Sequence, residues 1–242
     1  AVSNASLVTF NGNVFVDGGN VTTTLGAVSF NGSVTIDTAQ GATAVAGSIS
    51  FSNSSGPVGG TNADLLFDTS AATTGGNVTF TNMNGGATAN ALNDLTINTG
   101  AAAPGIITIS GNIFLDNNGL DTGDFSVLGG GQVRFGGGAV RTIDTETGNN
   151  GNGGSINFGT SQVSATGANG DLSLNTATTF AGGNGGAVTL ATFGNGGSQF
   201  INDLTITTTS GAGGTAGLLT LTGNITLASN GGAGDTAVIT YT

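Results

Sequence analysis

The chain has 242 residues, among them 47 Gly, 2 Pro and no Cys or His, and its 13 Asp and Glu against 2 Arg give a net charge of −11. Without Cys there are no disulfides, and without His, Cys or Lys the usual catalytic bases and nucleophiles are missing, so we expect no enzyme. Such an acidic chain cannot neutralise a phosphate backbone, and no apolar run approaches the ~20 residues of a membrane helix. We therefore expect neither a nucleic acid partner nor a membrane span.

The first segment with a clear pattern is VTFNGNVFVD, from Val8 to Asp17. Apolar residues alternate on both sides of an Asn/Gly corner, at Val8, Phe10, Val14 and Val16. Alternation with a period of two predicts a strand with one buried face, and Asn with Gly favours a sharp bend. The pattern returns as GAVSFNGSVTID, in which Phe30 takes the place of Phe10. The segment therefore predicts a strand, a corner and a second strand.

Further short strands are predicted in chain order at SISF, DLLFDT, NVTF and NDLTI, which begin at Ser48, Asp64, Asn77 and Asn93. Turns rich in Gly, Asn, Ser and Thr separate them, and good helix formers are scarce. The opening segment then recurs as ITISGNIFLD from Ile107 and as LTLTGNITLA from Leu219. These recurrences predict one continuous body over residues 1–242, with repeat units at approximately 8–106 and 107–218 and a partial third at 219–242.

Short strands at regular spacing are compatible with a sandwich, a barrel, a propeller or a solenoid. Two features favour the solenoid: similar residues recur at a fixed phase, and the same corner is reused in the same orientation, whereas hairpin folds reverse the strand direction. The predicted fold is all-β, a right-handed parallel β-helix with coils of about 20 residues. Its last coils would expose strand edges and core unless something covers them.

The Asp residues fall in two recurring places. One group follows the second strand of the repeated pattern, and the other precedes a strand: Asp17, Asp37, Asp116 and Asp144, then Asp64, Asp94, Asp124, Asp171 and Asp203. An active site occurs once in a chain, whereas these positions are periodic, so they predict hydrogen bonding at turns and strand ends. We predict no catalytic residue and no cofactor-binding residue.

Calcium is the alternative role for these carboxylates, because stacked carboxylate and carbonyl oxygens suit that ion. The candidates for calcium ligands are Asp17, Asp37, Asp116 and Asp235. For the two cations, Arg134 and Arg141, we expect either a local ion pair with an Asp or with Glu146, or a contact with a neighbouring subunit.

At LTLTGNITLA, NDLTINTG and AVSFNGSVTID the chain resembles the repetitive β-solenoid surface proteins of bacteria. These are the filamentous-haemagglutinin-type adhesins, the autotransporter passenger repeats and the large β-strand-repeat proteins. The resemblance covers the whole chain as a style of repeat. It implies an exported, extracellular, non-enzymatic rod at the bacterial cell surface.

The function expected from these features is structural. The chain would be a subunit or segment of a β-solenoid fibre that stacks end to end, its partner being a second copy or the adjoining repeats of a longer chain. The alternative is an adhesin stalk or a carbohydrate-binding module of a large secreted surface protein, with surface glycans as partners.

Overall fold

The computed structural model describes residues 7–23, 26–41, 44–51, 58–60, 63–84, 92–116, 122–136, 139–166, 170–194, 200–229 and 236–242. These described residues form 24 strands and no helix. In chain order the strands are β1 (Leu7–Phe10), β2 (Val14–Phe15), β3 (Val21–Thr22), β4 (Ala27–Phe30), β5 (Val34–Asp37), β6 (Ile49–Phe51), β7 (Val58–Gly60), β8 (Ala63–Asp68), β9 (Val78–Phe80), β10 (Met83–Asn84), β11 (Leu92–Asn98), β12 (Ile106–Ile109), β13 (Ile113–Phe114), β14 (Phe125–Leu128), β15 (Gln132–Gly136), β16 (Arg141–Asp144), β17 (Ile156–Asn157), β18 (Gln162–Thr166), β19 (Gly170–Asn175), β20 (Val188–Leu190), β21 (Thr192–Phe193), β22 (Ile201–Thr207), β23 (Leu219–Leu221) and β24 (Ile239–Tyr241).

The strands form three parallel sheets, each taking about every third strand along the chain. Sheet 1 has the order β1-β4-β7-β10-β13-β16-β19-β22-β24, sheet 2 has β2-β5-β8-β11-β14-β17-β20-β23, and sheet 3 has β3-β6-β9-β12-β15-β18-β21. One coil of the chain therefore visits each sheet once, and successive coils pair as rungs of a β-solenoid. The prediction of an all-β, parallel, stacked fold is confirmed, and the right-handed winding stays a prediction.

The coil length differs from the one predicted from the sequence. Only the first coil is as short as predicted, with Phe10 paired to Phe30. Later coils are half as long again, as the pairing of Ile113 with Ile143 shows. The prediction was wrong for these coils because one coil contains three strand-and-corner segments, and only the first coil joins them by short corners throughout.

The three copies of the opening pattern occupy three different corners of the coil. VTFNGNVFVD turns from sheet 1 into sheet 2, and ITISGNIFLD turns from sheet 3 into sheet 1. LTLTGNITLA begins in sheet 2 with β23 and reaches Ile225, which bridges to Phe193 of sheet 3. From β1 to β12 and from β12 to β23 the chain advances eleven strands each time. Because a coil has three sides and eleven strands are one short of four coils, each copy of the repeat begins one side earlier in the coil than the copy before it.

The core is the apolar column enclosed by the three sheets. Alternate residues of each strand point inward, so that in β20 Val188 and Leu190 are fully buried while Thr189 is half-buried. Aromatic rings contact one another from rung to rung, as where Phe10 stacks on Phe30 with ring centroids 5.2 Å apart. Burying each such side chain contributes roughly 1.5–3 kcal/mol, so the stack is stabilised along its whole length.

Buried threonines close the loops that project at the corners. Thr176 Oγ1 donates a 2.6 Å hydrogen bond to the carbonyl oxygen of Gly186. The same pairing occurs at Thr38–Gly47, Thr69–Gly76, Thr145–Gly154 and Thr208–Gly217. We call the loops at 38–47, 69–76 and 99–105 the first ridge, which follows sheet 2, and those at 145–154, 176–186 and 208–217 the second ridge, which follows sheet 1.

Glycines at the bases of the ridges let successive loops approach closely. A β-carbon added to Gly186 would collide with the carbonyl group of Gly154, and one added to Gly217 would collide with that of Gly186. The first ridge has the same arrangement at Gly47, Gly76 and Gly105. A side chain at these positions would push neighbouring rungs apart, which explains part of the high glycine content.

Candidate functional site

Asn and Asp side chains at the corners join one rung to the next where the backbone ladder is interrupted. Asn112 Oδ1 accepts a 3.1 Å hydrogen bond from the backbone N–H of Thr142, and the N–H of Asn112 donates to Asn82 Oδ1 at 2.9 Å. Similar columns run through Asp94, Asp124 and Ser155, through Asn152, Asn184 and Thr215, and through Asp171, Asp203 and Val238. Most of the periodic carboxylates thus have a role in hydrogen bonding.

One corner departs from this pattern, because it buries carboxylates on adjacent rungs. Pairing of Ile113 with Ile143 places Asp116 beside Glu146 where sheet 1 meets the second ridge. Both side chains are 1 % exposed. Asp144 lies within the same group and is half-buried. This group, Asp116, Asp144 and Glu146, is called the acidic corner below.

Hydrogen bonds hold the carboxylates of the acidic corner only in part. Glu146 Oε1 accepts from the backbone N–H groups of Asn150 at 2.6 Å and Gly151 at 2.8 Å. Asp144 accepts from the N–H of Glu146 at 3.1 Å and from Asn175 Nδ2 at 3.0 Å. Glu146 Oε2, in contrast, is buried and has no hydrogen-bond partner.

The pKa values of two carboxyls follow from this environment. Burial raises the pKa of Glu146 above its ordinary value, and the charges of Asp116 and Asp144 add to the increase against the opposing backbone hydrogen bonds. Burial likewise raises the pKa of Asp144, again with a contribution from Asp116. Burial and the neighbouring carboxylates therefore both disfavour ionisation of Glu146 and Asp144.

The two arginines donate their Nε hydrogen bonds to groups outside the acidic corner. Arg134 Nε donates to Gln132 Oε1 at 2.8 Å, and Arg141 Nε donates to the carbonyl oxygen of Gly136 at 3.0 Å. The expected ion pair with Glu146 is therefore not formed by these nitrogens. Arg134 lies in β15 of sheet 3 and Arg141 begins β16 of sheet 1, and both of these hydrogen bonds go to neutral groups.

The predicted calcium candidates are not brought together as one set. Asp17 is exposed and forms an isolated bridge with Ala39, and Asp37 Oδ1 accepts from the N–H of Ala39 at 2.8 Å, both beside sheet 2. Asp116 lies in the acidic corner after sheet 1, and Asp235 lies outside the described residues. Within the described part of the chain, no three His, Cys, Asp or Glu side chains are grouped as metal ligands.

The last rung exposes residues at positions that are core positions one rung earlier. Leu190 is fully buried, whereas Leu221, its partner in the next rung, is 54 % exposed. In sheet 1, Leu204 is fully buried and its partner Ile239 is 51 % exposed. Among the described residues β23 and β24 are paired along one edge only, so this end of the stack presents apolar side chains together with open strand edges.

An open groove of about 460 Å³ lies on the outer face of sheet 2. Its polar lining comes from Asn13, Ser33, Thr35, Asp64, Asp94 and Thr96, and Leu66 and Leu128 supply apolar surface. Asp64 is held in place by Ser33 Oγ at 3.1 Å and Asn93 Nδ2 at 2.8 Å. The groove thus offers a fixed carboxylate, hydroxyl groups and an apolar patch to a ligand.

Comparison with known proteins finds no matching family model, no matching curated protein and no matching solved structure. The chain is therefore placed by its architecture alone, as a β-solenoid. In the part of the chain that the structure describes, no helix has the length and apolar character needed to cross a membrane.

Proposed function

We propose that this chain is a structural segment of an extracellular fibre on the bacterial surface, in which solenoids stack end to end. The observation that supports it is the change in exposure between the last two rungs, from fully buried at Leu190 to 54 % at Leu221. The occupant that fits this surface is another rung of the same fold, because it would continue both the apolar column and the ladder of backbone hydrogen bonds. The proposed occupant of this end is a second copy of the chain, stacked head to tail. The surface location rests on the resemblance of the repeats.

The test is the assembly of the purified chain, followed by sedimentation velocity and negative-stain electron microscopy over a range of concentrations. We expect rods whose lengths are multiples of one chain. Ile239→Lys should keep the protein monomeric, because stacking would bury an unpaired ammonium group. Val140→Lys is the matched control, since Val140 is 53 % exposed away from the end rung, and it should assemble like the wild type. A monomer at every concentration, or side-by-side association that Ile239→Lys leaves unchanged, would contradict the proposal.

The second candidate function is an adhesin or carbohydrate-binding module, and the groove on sheet 2 favours it. Sugars present hydroxyl groups and apolar C–H faces, which match the carboxylate, hydroxyl groups and leucines of the groove. A glycan array would test it with the wild type, with Thr96→Arg, which fills the groove, and with Ser173→Arg on the outer face of sheet 1. Binding lost only in Thr96→Arg supports this function, and an array without bound glycans removes it.

A further inference from the structure

We propose that the carboxylates of Asp116 and Glu146, with the side-chain oxygens of Thr147 and Asn150, bind one calcium ion at the base of the second ridge. The site is separate from the fibre ends and from the groove on sheet 2. It uses one of the residues predicted from the sequence, Asp116, and three that the pattern did not single out.

The fold brings the two carboxylates side by side. Leu115 donates its N–H to the carbonyl oxygen of Asp144 at 2.8 Å, and Thr147 donates its N–H to the carbonyl oxygen of Leu115 at 3.1 Å. Asp116 and Glu146 therefore occupy consecutive rungs, which are about 4.8 Å apart. Both are 1 % exposed, so water does not screen their mutual repulsion.

The loop that follows Glu146 contains further buried oxygen atoms without hydrogen-bond partners. Glu146 Oε2, Thr147 Oγ1 and Asn150 Oδ1 are all buried and have no hydrogen-bond partner. Elsewhere in the described residues such oxygens are isolated, as at Thr99 and Ser161, whereas here three occur within five residues. Leaving a buried polar atom unpaired costs about 1–3 kcal/mol, so three together indicate a group that they bind.

Gly148 shows that the loop folds back onto Asp116. A β-carbon added to Gly148 would collide with Asp116 Oδ2 and would lie 2.8 Å from Asn150 Nδ2. The Asp116 carboxylate and the Asn150 amide therefore converge on the same point. In this orientation the amide presents Nδ2 at that point, so the proposed site requires the amide turned over, which exchanges Nδ2 with Oδ1.

The chemistry of these atoms selects a hard cation. The ligand set consists of oxygen atoms only, two of its members are carboxylates, and neither arginine reaches it through the hydrogen bonds described above. Calcium accepts carboxylate, amide and hydroxyl oxygens in a flexible arrangement of 6–8 ligands, with water completing the shell. Magnesium demands a near-ideal octahedron, so we expect it to bind more weakly.

Titration calorimetry on the full chain, made metal-free with EDTA, tests the site with CaCl₂ and, separately, with MgCl₂. We expect one calcium ion per chain. Glu146→Gln should weaken its binding at least tenfold, and Asn150→Leu several-fold. Asp37→Asn, which removes a carboxylate charge beside sheet 2, is the matched control and should bind calcium like the wild type.

Hydrogen exchange of the wild type gives a second readout that does not depend on the folding of any variant. Calcium should slow exchange of the backbone amides in residues 145–154 and leave the first ridge unchanged. Absence of both calcium heat and calcium-dependent protection would overturn the proposal and assign the unpaired oxygens to bound water. Binding that survives Glu146→Gln but is lost in Asp37→Asn would also overturn it.

Discussion

Thr176 donates a hydrogen bond from its buried hydroxyl to the carbonyl oxygen of Gly186, and the two atoms lie 2.6 Å apart. Thr99 occupies the matching position at the base of the first ridge and is equally buried, but its hydroxyl has no hydrogen-bond partner. The same residue type therefore serves two opposite energetic roles in one molecule. A hydroxyl that closes a loop stabilises the fold, whereas a buried hydroxyl without a partner destabilises it.

Substituting each threonine by valine should separate these roles. Thr176→Val leaves the buried carbonyl oxygen of Gly186 without its hydroxyl donor, and we expect the free energy of unfolding to fall by about 1–3 kcal/mol. Thr99→Val removes a hydroxyl that bonds to nothing, so it should be neutral or stabilising. Urea unfolding followed by circular dichroism measures both variants. Equal losses of stability in the two variants would contradict the assignment.

Glycine in the second ridge is required for the approach of neighbouring rungs. Gly186→Ala places a methyl group against the carbonyl group of Gly154, which is backbone and cannot move aside, so we expect a loss of more than about 2 kcal/mol. Gly12→Ala is the control, because an added β-carbon there meets nothing within 4 Å, and it should be neutral or stabilising by up to about 1 kcal/mol. Thermal unfolding of the two variants compares them. A Gly186→Ala protein as stable as Gly12→Ala would show that the ridge can open without loss.

The strands were predictable from the sequence because the alternation of apolar and polar residues is a local property. The coil length was not, because Phe10 and Phe30 happen to pair in the one coil with short corners throughout. The long repeat also conceals the coil, since eleven strands do not divide by three. The glycines at the bases of the ridges and the threonines that close the ridge loops could not be placed until the rungs were aligned, because the ridge loops differ in length.

The acidic corner was predictable in part for the same reason. Asp116 was singled out because it ends a repeated strand pattern. Glu146 was named only as an ion-pair partner for an arginine. Its place beside Asp116 was missed because the repeat aligns Asp116 with the first and third copies, whereas the fold aligns it with a residue one rung later. A correct coil length would have shown two acidic residues stacked on adjacent rungs. The unpaired oxygens of Thr147 and Asn150 depend on loop geometry that no spacing encodes.

Corner asparagines should control local opening between rungs. Asn112→Ala removes the acceptor for the N–H of Thr142, which costs about 1 kcal/mol, and hydrogen exchange at that amide should become about fivefold faster. Asn112→Asp keeps an acceptor oxygen and should retain most of the protection. Residue-resolved hydrogen exchange by NMR measures both. Unchanged exchange at Thr142 in Asn112→Ala would show that the side chain does not hold the rungs together.

Truncation of core leucines should distinguish an interior rung from the last one. Leu190→Ala leaves a cavity in a fully buried column and should cost about 2–5 kcal/mol. Leu221→Ala, on the adjacent rung and 54 % exposed, should cost less than about 1 kcal/mol in dilute protein. If copies stack end to end, the cost of Leu221→Ala should rise with protein concentration, because the neighbouring chain buries Leu221 and stabilises the folded state by mass action. Thermal unfolding at several concentrations measures this dependence, and a cost independent of concentration would contradict stacking at this end.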